Sequence, residues 1–403
     1  MQRLVQGDVG SGKTIVAALA VLEAVEAGCQ AVMMAPTELL AEQHFKIFKH
    51  WLTPLGIEVG WCIGRQKASQ RKAVLAGLAS GQTQVAIGTH ALFQDGVVFN
   101  NLGLVVIDEQ HRFGVDQRLA LRDKGKKTDI FPHQLVMTAT PIPRTLAMTA
   151  YADLNVSVID ELPPGRTAVI TVVVPDARRD EIIDRVHLAC QEKRQVYWVC
   201  TLVEESEHLQ CQAAEAAASE LQAALPDLRI ALIHGRMKSD EKEHVMGQFK
   251  LGNVDLLVAT TVIEVGVDVP NASLMVIENA ERLGLAQLHQ LRGRVGRGKI
   301  ESHCVLMYHS PLSENGQSRL SCLRETNDGF VIAQRDLELR GPGELLGTRQ
   351  TGLPQFRVAN LMMDQDLIEV MAEAADQLLA VAPENGDALI ARWFGHKVNF
   401  GHV

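Results

Sequence analysis

The sequence predicts an α/β fold of two tandem domains with parallel sheets, followed by a helical region. Short β-branched runs alternate with helix-like stretches twice along the chain, which is the rhythm of parallel α/β domains. A segment with paired prolines and a glycine, residues 160–168, separates the two series and suits a hinge. We therefore predict one domain over residues 1–162, a second over 163–310 and a helical, charge-mixed region over 311–403.

The individual strands are predicted from these β-branched runs. In the first domain they are residues 3–6, 31–35, 84–88, 104–107 and 134–138, with a helix over 14–27. In the second domain they are residues 168–174, 196–200, 229–233, 256–259 and 274–278, with a helix over 177–193. The two domains are thus predicted to have a similar build.

The composition fits a globular protein with seven scattered cysteines and a net charge of −9. No CxxC pair occurs, which argues against a zinc site or a disulfide framework and for a reducing compartment. The apolar run at residues 15–22 is too short to span a bilayer, so we expect a cytoplasmic protein without membrane contact. Because the net charge is negative, phosphate binding has to come from local clusters and backbone amides.

A phosphate loop is predicted near the start of the chain. Residues 7–14, GDVGSGKT, match the pattern GxxxxGK[ST] between a short apolar strand and a helical stretch. Backbone N–H groups of such a loop surround the phosphates, Lys13 reaches the outer pair, and Thr14 places its hydroxyl on magnesium. The predicted binding residues are Gly7, Asp8, Val9, Gly10, Ser11, Gly12, Lys13 and Thr14. The sequence therefore predicts a nucleoside triphosphate site at this loop.

Two carboxylates, Asp108 and Glu109, end an apolar strand where a parallel sheet opens its ligand crevice. An acidic pair at this position is by itself more often a solvated strand end. With a phosphate loop upstream, we predict that Asp108 holds magnesium and that Glu109 orients or activates the attacking water.

The acidic pair in DEQH, together with GSGKT, resembles the paired motifs of superfamily 2 helicases and translocases. Further stretches that resemble motifs of this superfamily follow in order: residues 35–44, 88–90, 138–145, 233–237, 259–270 and 287–297. The resemblance implies two RecA-like P-loop domains that use ATP and magnesium. Each stretch also has an ordinary structural explanation, with threonines as helix caps, histidines as core groups and arginines on a solvated helix face.

The resemblance also implies roles for single residues. The implied nucleotide contacts are Gly266, Asp268 and Gln290. The residues with implied contacts to DNA or coupling roles are Pro36, Thr37, Thr89, His90, His111, Thr138, Thr140, His234, Arg236, Thr260 and Thr261. Arg294 and Arg297 are the candidates for neutralising charge on the transferring phosphoryl group. Because these arginines lie on the other domain from the phosphate loop, hydrolysis would depend on domain closure.

The stretch at residues 328–352 closely resembles the translocation motif shared by the RecG family of branch-migration helicases and the transcription-repair coupling factors. In these proteins a helical hairpin and a following loop couple ATP-driven domain movement to motion along duplex DNA. Arg335, Arg340 and Gln350 are the predicted coupling or DNA-contact residues. Gln110 stands where the coupling factors usually have a second glutamate, and residues 136–169 resemble the RecG family almost throughout.

The RecG resemblance implies an ATP-dependent double-stranded DNA translocase acting on branched DNA, in fork regression and Holliday junction branch migration. We expect a monomer, because nothing in the motor mechanism requires more, and the resemblance implies at family level a link to single-strand binding protein. RecG proteins begin with a wedge domain of oligonucleotide-binding fold, whereas this chain starts about one strand before the phosphate loop, so we expect it to match only the motor part. The alternatives are the motor of a transcription-repair coupling factor and a truncated, non-catalytic DNA-binding module.

Overall fold

The structure, a computed structural model, describes residues 1–94, 96–109, 131–138, 154–161, 167–201, 207–260, 269–298, 300–340 and 364–394. The first domain holds a seven-stranded sheet in the order β3-β4-β2-β5-β6-β1-β7, and all of its pairings are parallel. Its strands are β1 Gln2–Gly7, β2 Gln30–Met34, β3 Val59–Cys62, β4 Val85–Gly88, β5 Leu102–Ile107, β6 His133–Thr138 and β7 Asn155–Ile159. The described helices beside this sheet are α1 Lys13–Glu26, α2 Glu38–Leu52 and α3 Ala68–Ser80.

The second domain holds a six-stranded parallel sheet in the order β10-β11-β9-β12-β13-β8. Its strands are β8 Ile170–Pro175, β9 Gln195–Val199, β10 Ile230–Ile233, β11 Leu256–Ala259, β12 Ala272–Ile277 and β13 His303–Tyr308. The helices are α4 Arg179–Gln191, α5 Glu207–Ala224, α6 Ser239–Lys250 and α7 Leu285–Arg292. Both predicted series of strands and the α/β fold class are confirmed.

Each sheet is covered on both faces, as parallel sheets require. In the first sheet, Met33 packs into one apolar cluster while its neighbours Val32 and Met34 pack into the cluster on the opposite face. This alternation follows from the two-residue repeat of a strand. Carboxyl ends of parallel strands meet at one edge, so residues that follow β1, β4, β5 and β6 are brought to the same side of the first domain.

Four helices follow the second sheet in the described part of the chain: α8 Glu314–Glu325, α9 Gly329–Arg340, α10 Gln365–Val381 and α11 Pro383–Phe394. Helices α8 and α9 contribute Leu320, Leu323 and Ile332 to one apolar cluster of the second domain. They are therefore packed on that domain. No helix among the described residues is long and apolar enough to cross a membrane.

Three strands of the described structure, β3, β7 and β13, were not predicted from the sequence. β3 is short and carries Gly60, a weak strand former, and β7 is a five-residue strand at a sheet edge without a fully buried residue. β13 is apolar and buried, but it lies outside the two series that the sequence indicated. The domain boundaries after residues 162 and 310 stay predictions.

Candidate functional site

The phosphate loop links β1 to α1, and two of its glycines have left-handed backbone angles. The φ angle is 78° at Gly10 and 98° at Gly12, and side-chain-bearing residues are strained in this region. Gly7 makes a close approach as well, because a Cβ there would lie 2.5 Å from the Ser11 hydroxyl. The loop therefore needs glycine at these three positions.

Lys13 begins α1, and its ammonium group turns back into the loop. Its Nζ donates to the carbonyl oxygens of Gly7 and Asp8 at 2.7 and 2.8 Å, and the residue is only 8% exposed. A buried ammonium held at the mouth of a glycine loop places one positive charge where phosphate oxygens would enter.

Asp108 follows β5 and contacts His44 of α2. The His44 Nε2–H donates to Asp108 Oδ2 at 2.8 Å, while the backbone N–H of Glu109 donates to Asp108 Oδ1 at 3.1 Å. Burial by itself raises the pKa of Asp108, but the hydrogen bond and charge of His44 and the charge of Lys13 outweigh it and hold this pKa below its ordinary value. Asp108 is therefore an ionised carboxylate, a ligand type that magnesium prefers.

Glu109 has a φ angle of 52°, which is uncommon for a residue with a side chain. Such backbone strain is typical of functional positions. Asp108 itself is fixed to the sheet, because its N–H donates to the carbonyl of Met34 at 2.9 Å. The turn after β5 thus departs from the strand direction immediately after the aspartate.

The second domain reaches the phosphate loop through the segment after α7. A Cβ at Gly293 would lie 2.9 Å from the Cβ of Val9, so glycine permits this close approach between the domains. Arg294 follows directly, and the Arg297 Nε donates to the Gly293 carbonyl at 3.2 Å. Both predicted arginines therefore belong to the segment that faces the loop.

His289 of α7 makes a hydrogen bond between the two domains. Its Nδ1 lies 3.0 Å from a guanidinium nitrogen of Arg292, and because arginine can only donate, this ring nitrogen is the acceptor. The ring proton therefore sits on Nε2, which donates to Asp8 Oδ1 at 2.5 Å. The same carboxylate oxygen accepts from the Val9 N–H at 2.9 Å, so it belongs to the phosphate loop itself.

Arg292 continues this chain of contacts into the helical region. Its Nη1 donates to the carbonyl oxygens of Leu323 and Thr326, each at 2.8 Å, at the end of α8 and just before α9. The residue is 3% exposed, and burial lowers the pKa of its guanidinium. Phosphate loop, α7 and the α8–α9 connection are therefore joined by the hydrogen-bonded series Asp8, His289 and Arg292.

The other predicted contact residues of the first domain occupy mixed environments. Thr37 is the N-cap of α2, and its hydroxyl accepts from the Leu40 N–H at 3.3 Å, so its structural explanation as a cap is met. Thr89 and Thr138 are buried, and His90 is exposed. Pro36 lies beside Thr37 and is partly buried.

In the second domain, Thr260 and Gln290 are buried, Arg236 is exposed, and the His234 Nε2 lies 3.7 Å from a Glu215 carboxylate oxygen. In the helical region, Arg335 is exposed and donates to Glu338 at 2.6 Å. Arg340 ends α9. His111, Thr140, Thr261, Gly266, Asp268, Gln350 and the side chain of Arg340 lie outside the described residues.

Three residues of this arrangement were not assigned a role from the sequence: His44, His289 and Arg292. Each lies within a stretch that resembles a helicase motif, and His44 occupies an apolar position of its helix. The signal available in the sequence was a polar residue at a core position. The aspartates that His44 and His289 contact could not be predicted, because they lie far away in sequence.

Family profiles match three parts of the chain. The DEAD/DEAH box helicase profile matches residues 2–149, and the helicase conserved C-terminal domain matches residues 178–299. The profile "ATP-dependent DNA helicase RecG, domain 3, C-terminal" matches residues 326–389. The profiles therefore cover six strands of the first sheet, four strands of the second sheet, and helices α9 and α10.

Curated relatives align with the whole chain. The ATP-dependent DNA helicase RecG of Escherichia coli (strain K12) is 66% identical, and that of Pasteurella multocida (strain Pm70) is 62% identical; each alignment covers 100% of this chain and 58% of the relative. A solved structure of RecG bound to a three-way DNA junction is 45% identical, with a TM-score of 0.74, and the match covers 92% of this chain and 47% of that one. The chain is thus similar over its whole length to RecG proteins, and it spans 58% of the length of the two curated relatives.

Proposed function

We propose that this chain is an ATP-driven motor that moves on double-stranded DNA and acts on branched DNA. The observation that carries the proposal is the hydrogen-bonded series from Asp8 through His289 to Arg292, because it connects the phosphate loop to both the second domain and the α8–α9 connection. A nucleotide-dependent change at the loop would therefore reach the helices that resemble a translocation motif.

ATP hydrolysis is assigned to the facing edges of the two domains. The phosphate loop would bind the phosphates, and the ammonium of Lys13 would turn from the loop carbonyls to the outer phosphate oxygens. Glu109 would orient the attacking water, and Arg294 and Arg297 would neutralise the developing charge. The approach of Gly293 to Val9 supports this assignment, because the arginines can act only when the second domain lies against the loop.

Magnesium would be held by the Asp108 carboxylate and the Thr14 hydroxyl. Both are oxygen ligands, and the ionised state of Asp108 suits a hard divalent cation. When bound, the cation neutralises phosphate charge during transfer. The protein's part is to keep the carboxylate ionised and oriented, which the contacts of His44 and the Glu109 N–H support.

DNA contacts are assigned to both domains and the helical region. The predicted residues include Thr37, His90, Arg236 and Arg335, which would hold sugar-phosphate backbone on either side of the cleft. The net charge of −9 restricts this contact to local groups. Alternating grip by the two domains during opening and closing would move the chain along the duplex.

Branched DNA is the proposed substrate because a similar structure is RecG bound to a three-way junction. Fork regression and Holliday junction branch migration, in DNA repair and recombination, are the proposed reactions. A monomer is sufficient for this mechanism, and single-strand binding protein is a predicted partner. A cytoplasmic location is proposed because all seven cysteines are free thiols, as in reducing compartments.

The proposal is tested by conversion of a labelled forked DNA into a duplex product, with magnesium, and with or without ATP. ATP-dependent conversion by this chain, absent in Lys13→Ala, is the expected result. Binding of the fork without ATP-dependent conversion would reject a motor and leave a DNA-binding module. Matched linear duplex and RNA show whether the product depends on branched DNA.

A further inference from the structure

Helix α2 carries a histidine on the face that packs against the first sheet. Ala41, His44, Phe48 and Leu52 are its buried positions, spaced three or four residues apart as on one helix face. Three of the four are apolar. His44 is 7% exposed, so an imidazole occupies a position at which the helix otherwise supplies apolar packing.

The imidazole is directed at the end of β5. Its Nε2–H donates to Oδ2 of Asp108, while Oδ1 of that carboxylate accepts from the Glu109 backbone. The backbone contact belongs to the turn itself, whereas the His44 contact comes from a different element. The rotation of the carboxylate is therefore set jointly by its own turn and by the position of α2.

The first turn of helix α2 has two further features that connect its position to other parts of the account. It begins at the N-cap Thr37, which we assign to DNA contact, and Leu39 in its first turn packs against the apolar cluster of the second domain. From Thr37 to His44 is seven residues, or about 10 Å along a helix. Since a helix of this length moves as a rigid element, displacement of its first turn reaches His44.

We propose that His44 is a positioning residue that links the DNA-facing end of α2 to the orientation of the Asp108 carboxylate. The inference rests on the proposed function, because it assigns DNA contact to Thr37 and magnesium to Asp108. Contact with DNA at the start of α2 fixes the helix, the helix fixes His44, and His44 holds Oδ2 so that the carboxylate is presented to magnesium in one orientation. DNA thereby tightens magnesium-dependent nucleotide binding.

The hydrogen bond from His44 to Asp108 is of a kind that usually affects metal affinity, because it orients a side chain that would hold the metal. A group that hydrogen-bonds to a ligating side chain typically changes metal affinity or activity about 10–100-fold when it is removed. Loss of the His44 donor also leaves a partly buried carboxylate oxygen without this partner. The effect should therefore exceed that of an apolar substitution elsewhere on the same helix face.

The test measures equilibrium binding of a fluorescent, non-hydrolysable ATP analogue to the 403-residue chain as magnesium is titrated, with and without linear duplex DNA. The variants are His44→Leu, which removes the donor, and His44→Gln, whose amide can place a donor near the position of Nε2. Phe48→Leu is the matched control on the same buried face. Thermal melting identifies variants that do not fold, and His44→Asn, whose amide is shorter, replaces His44→Leu in that case.

For the wild-type chain, duplex DNA should lower the magnesium concentration at half-maximal binding. His44→Leu should raise that midpoint about tenfold and remove its dependence on DNA. His44→Gln should keep most of both, and Phe48→Leu should lower the melting temperature without moving the midpoint. Equal midpoints and equal DNA dependence in wild type and His44→Leu would overturn the proposal, as would a wild-type midpoint that DNA does not move.

The two proposals fail separately. If the wild-type chain binds nucleotide in this DNA-dependent way but does not convert a fork, the motor function is rejected and the role of His44 stands. If the wild-type chain converts a fork and His44→Leu behaves as wild type in the binding titration, the role of His44 is rejected and the motor stands.

Discussion

Two histidines contact aspartates of the proposed nucleotide site, one histidine from each domain. His44 belongs to the first domain and reaches Asp108, 64 residues along the chain. His289 belongs to the second domain and reaches Asp8, 281 residues away. The first contact therefore lies within one domain, while the second exists only when the two domains meet.

Because of this difference, we expect the two hydrogen bonds to depend on different events. The contact of His44 depends on the position of α2, a helix of the same domain, and so reports on what touches that helix. The contact of His289 depends on closure and, through Arg292, on the carbonyl groups of Leu323 and Thr326. We therefore expect the proposed site to respond to DNA through Asp108 and to domain closure through Asp8.

The largest effect is expected from Lys13→Ala, which should leave both histidine contacts in place but remove the charge that reaches the phosphates. Loss of one such electrostatic contact typically lowers kcat by about 10²–10³-fold. Steady-state ATP hydrolysis at saturating nucleotide measures it, with Lys46→Ala as a control, since that ammonium is exposed and pairs with Glu42 on the surface of α2. Ordinary turnover in Lys13→Ala would contradict the site assignment.

Arg292→Met should have the next largest effect, on stability. The apolar chain fills similar space but leaves the carbonyls of Leu323 and Thr326 and the Nδ1 of His289 without the guanidinium. Each buried polar group left unsatisfied costs about 1–3 kcal/mol. Chemical denaturation should show a lower free energy of unfolding for this variant than for Arg236→Met, in which the arginine is exposed. Equal stability of the two variants would show that the Arg292 contacts are not required.

His289→Leu should separate the two histidines. It removes the contact with Asp8 but does not touch Asp108, so DNA-stimulated hydrolysis should fall about tenfold, on the scale of a lost charged hydrogen bond of 1.5–3 kcal/mol. The magnesium midpoint of nucleotide binding should stay near that of wild type, in contrast to His44→Leu. If both variants moved that midpoint equally, the distinction between a domain-internal and a closure-dependent contact would be lost.

The smallest effect is expected from Arg236→Ala. An exposed arginine that contacts one phosphate contributes about −0.9 to the slope of log K against log salt concentration on duplex DNA. Removing it should therefore make the slope shallower by about that amount while nucleotide binding is retained. Fluorescence anisotropy of a labelled duplex over a salt series measures the slope, and an unchanged slope would remove Arg236 from the DNA contacts.

The parts that the sequence predicted are those whose contacts are local. Lys13 binds carbonyls six and five residues away, so a short motif accounts for these two hydrogen bonds. Asp108 was placed because the end of a parallel strand has a defined position in the fold. The series through His289 and Arg292 could not be predicted, because it depends on how two domains and two further helices meet.

The predicted strands show the same difference between features set by local sequence and features set by distant contacts. Strands with continuous apolar runs, such as β5, were predicted within about two residues of their structural bounds. The edge strand β7 was missed because its residues are only partly buried and their pattern is weak. Local patterning therefore identified the buried strands, while edge pairing depends on the completed sheet.

The most direct measurement is ATP hydrolysis by this chain at one fixed low salt concentration with no polynucleotide, single-stranded DNA, linear duplex, forked DNA or RNA. We predict strong stimulation by linear duplex and forked DNA and weak stimulation by single-stranded DNA and RNA. Absence of hydrolysis in every condition, with DNA binding retained, would contradict a duplex-driven motor.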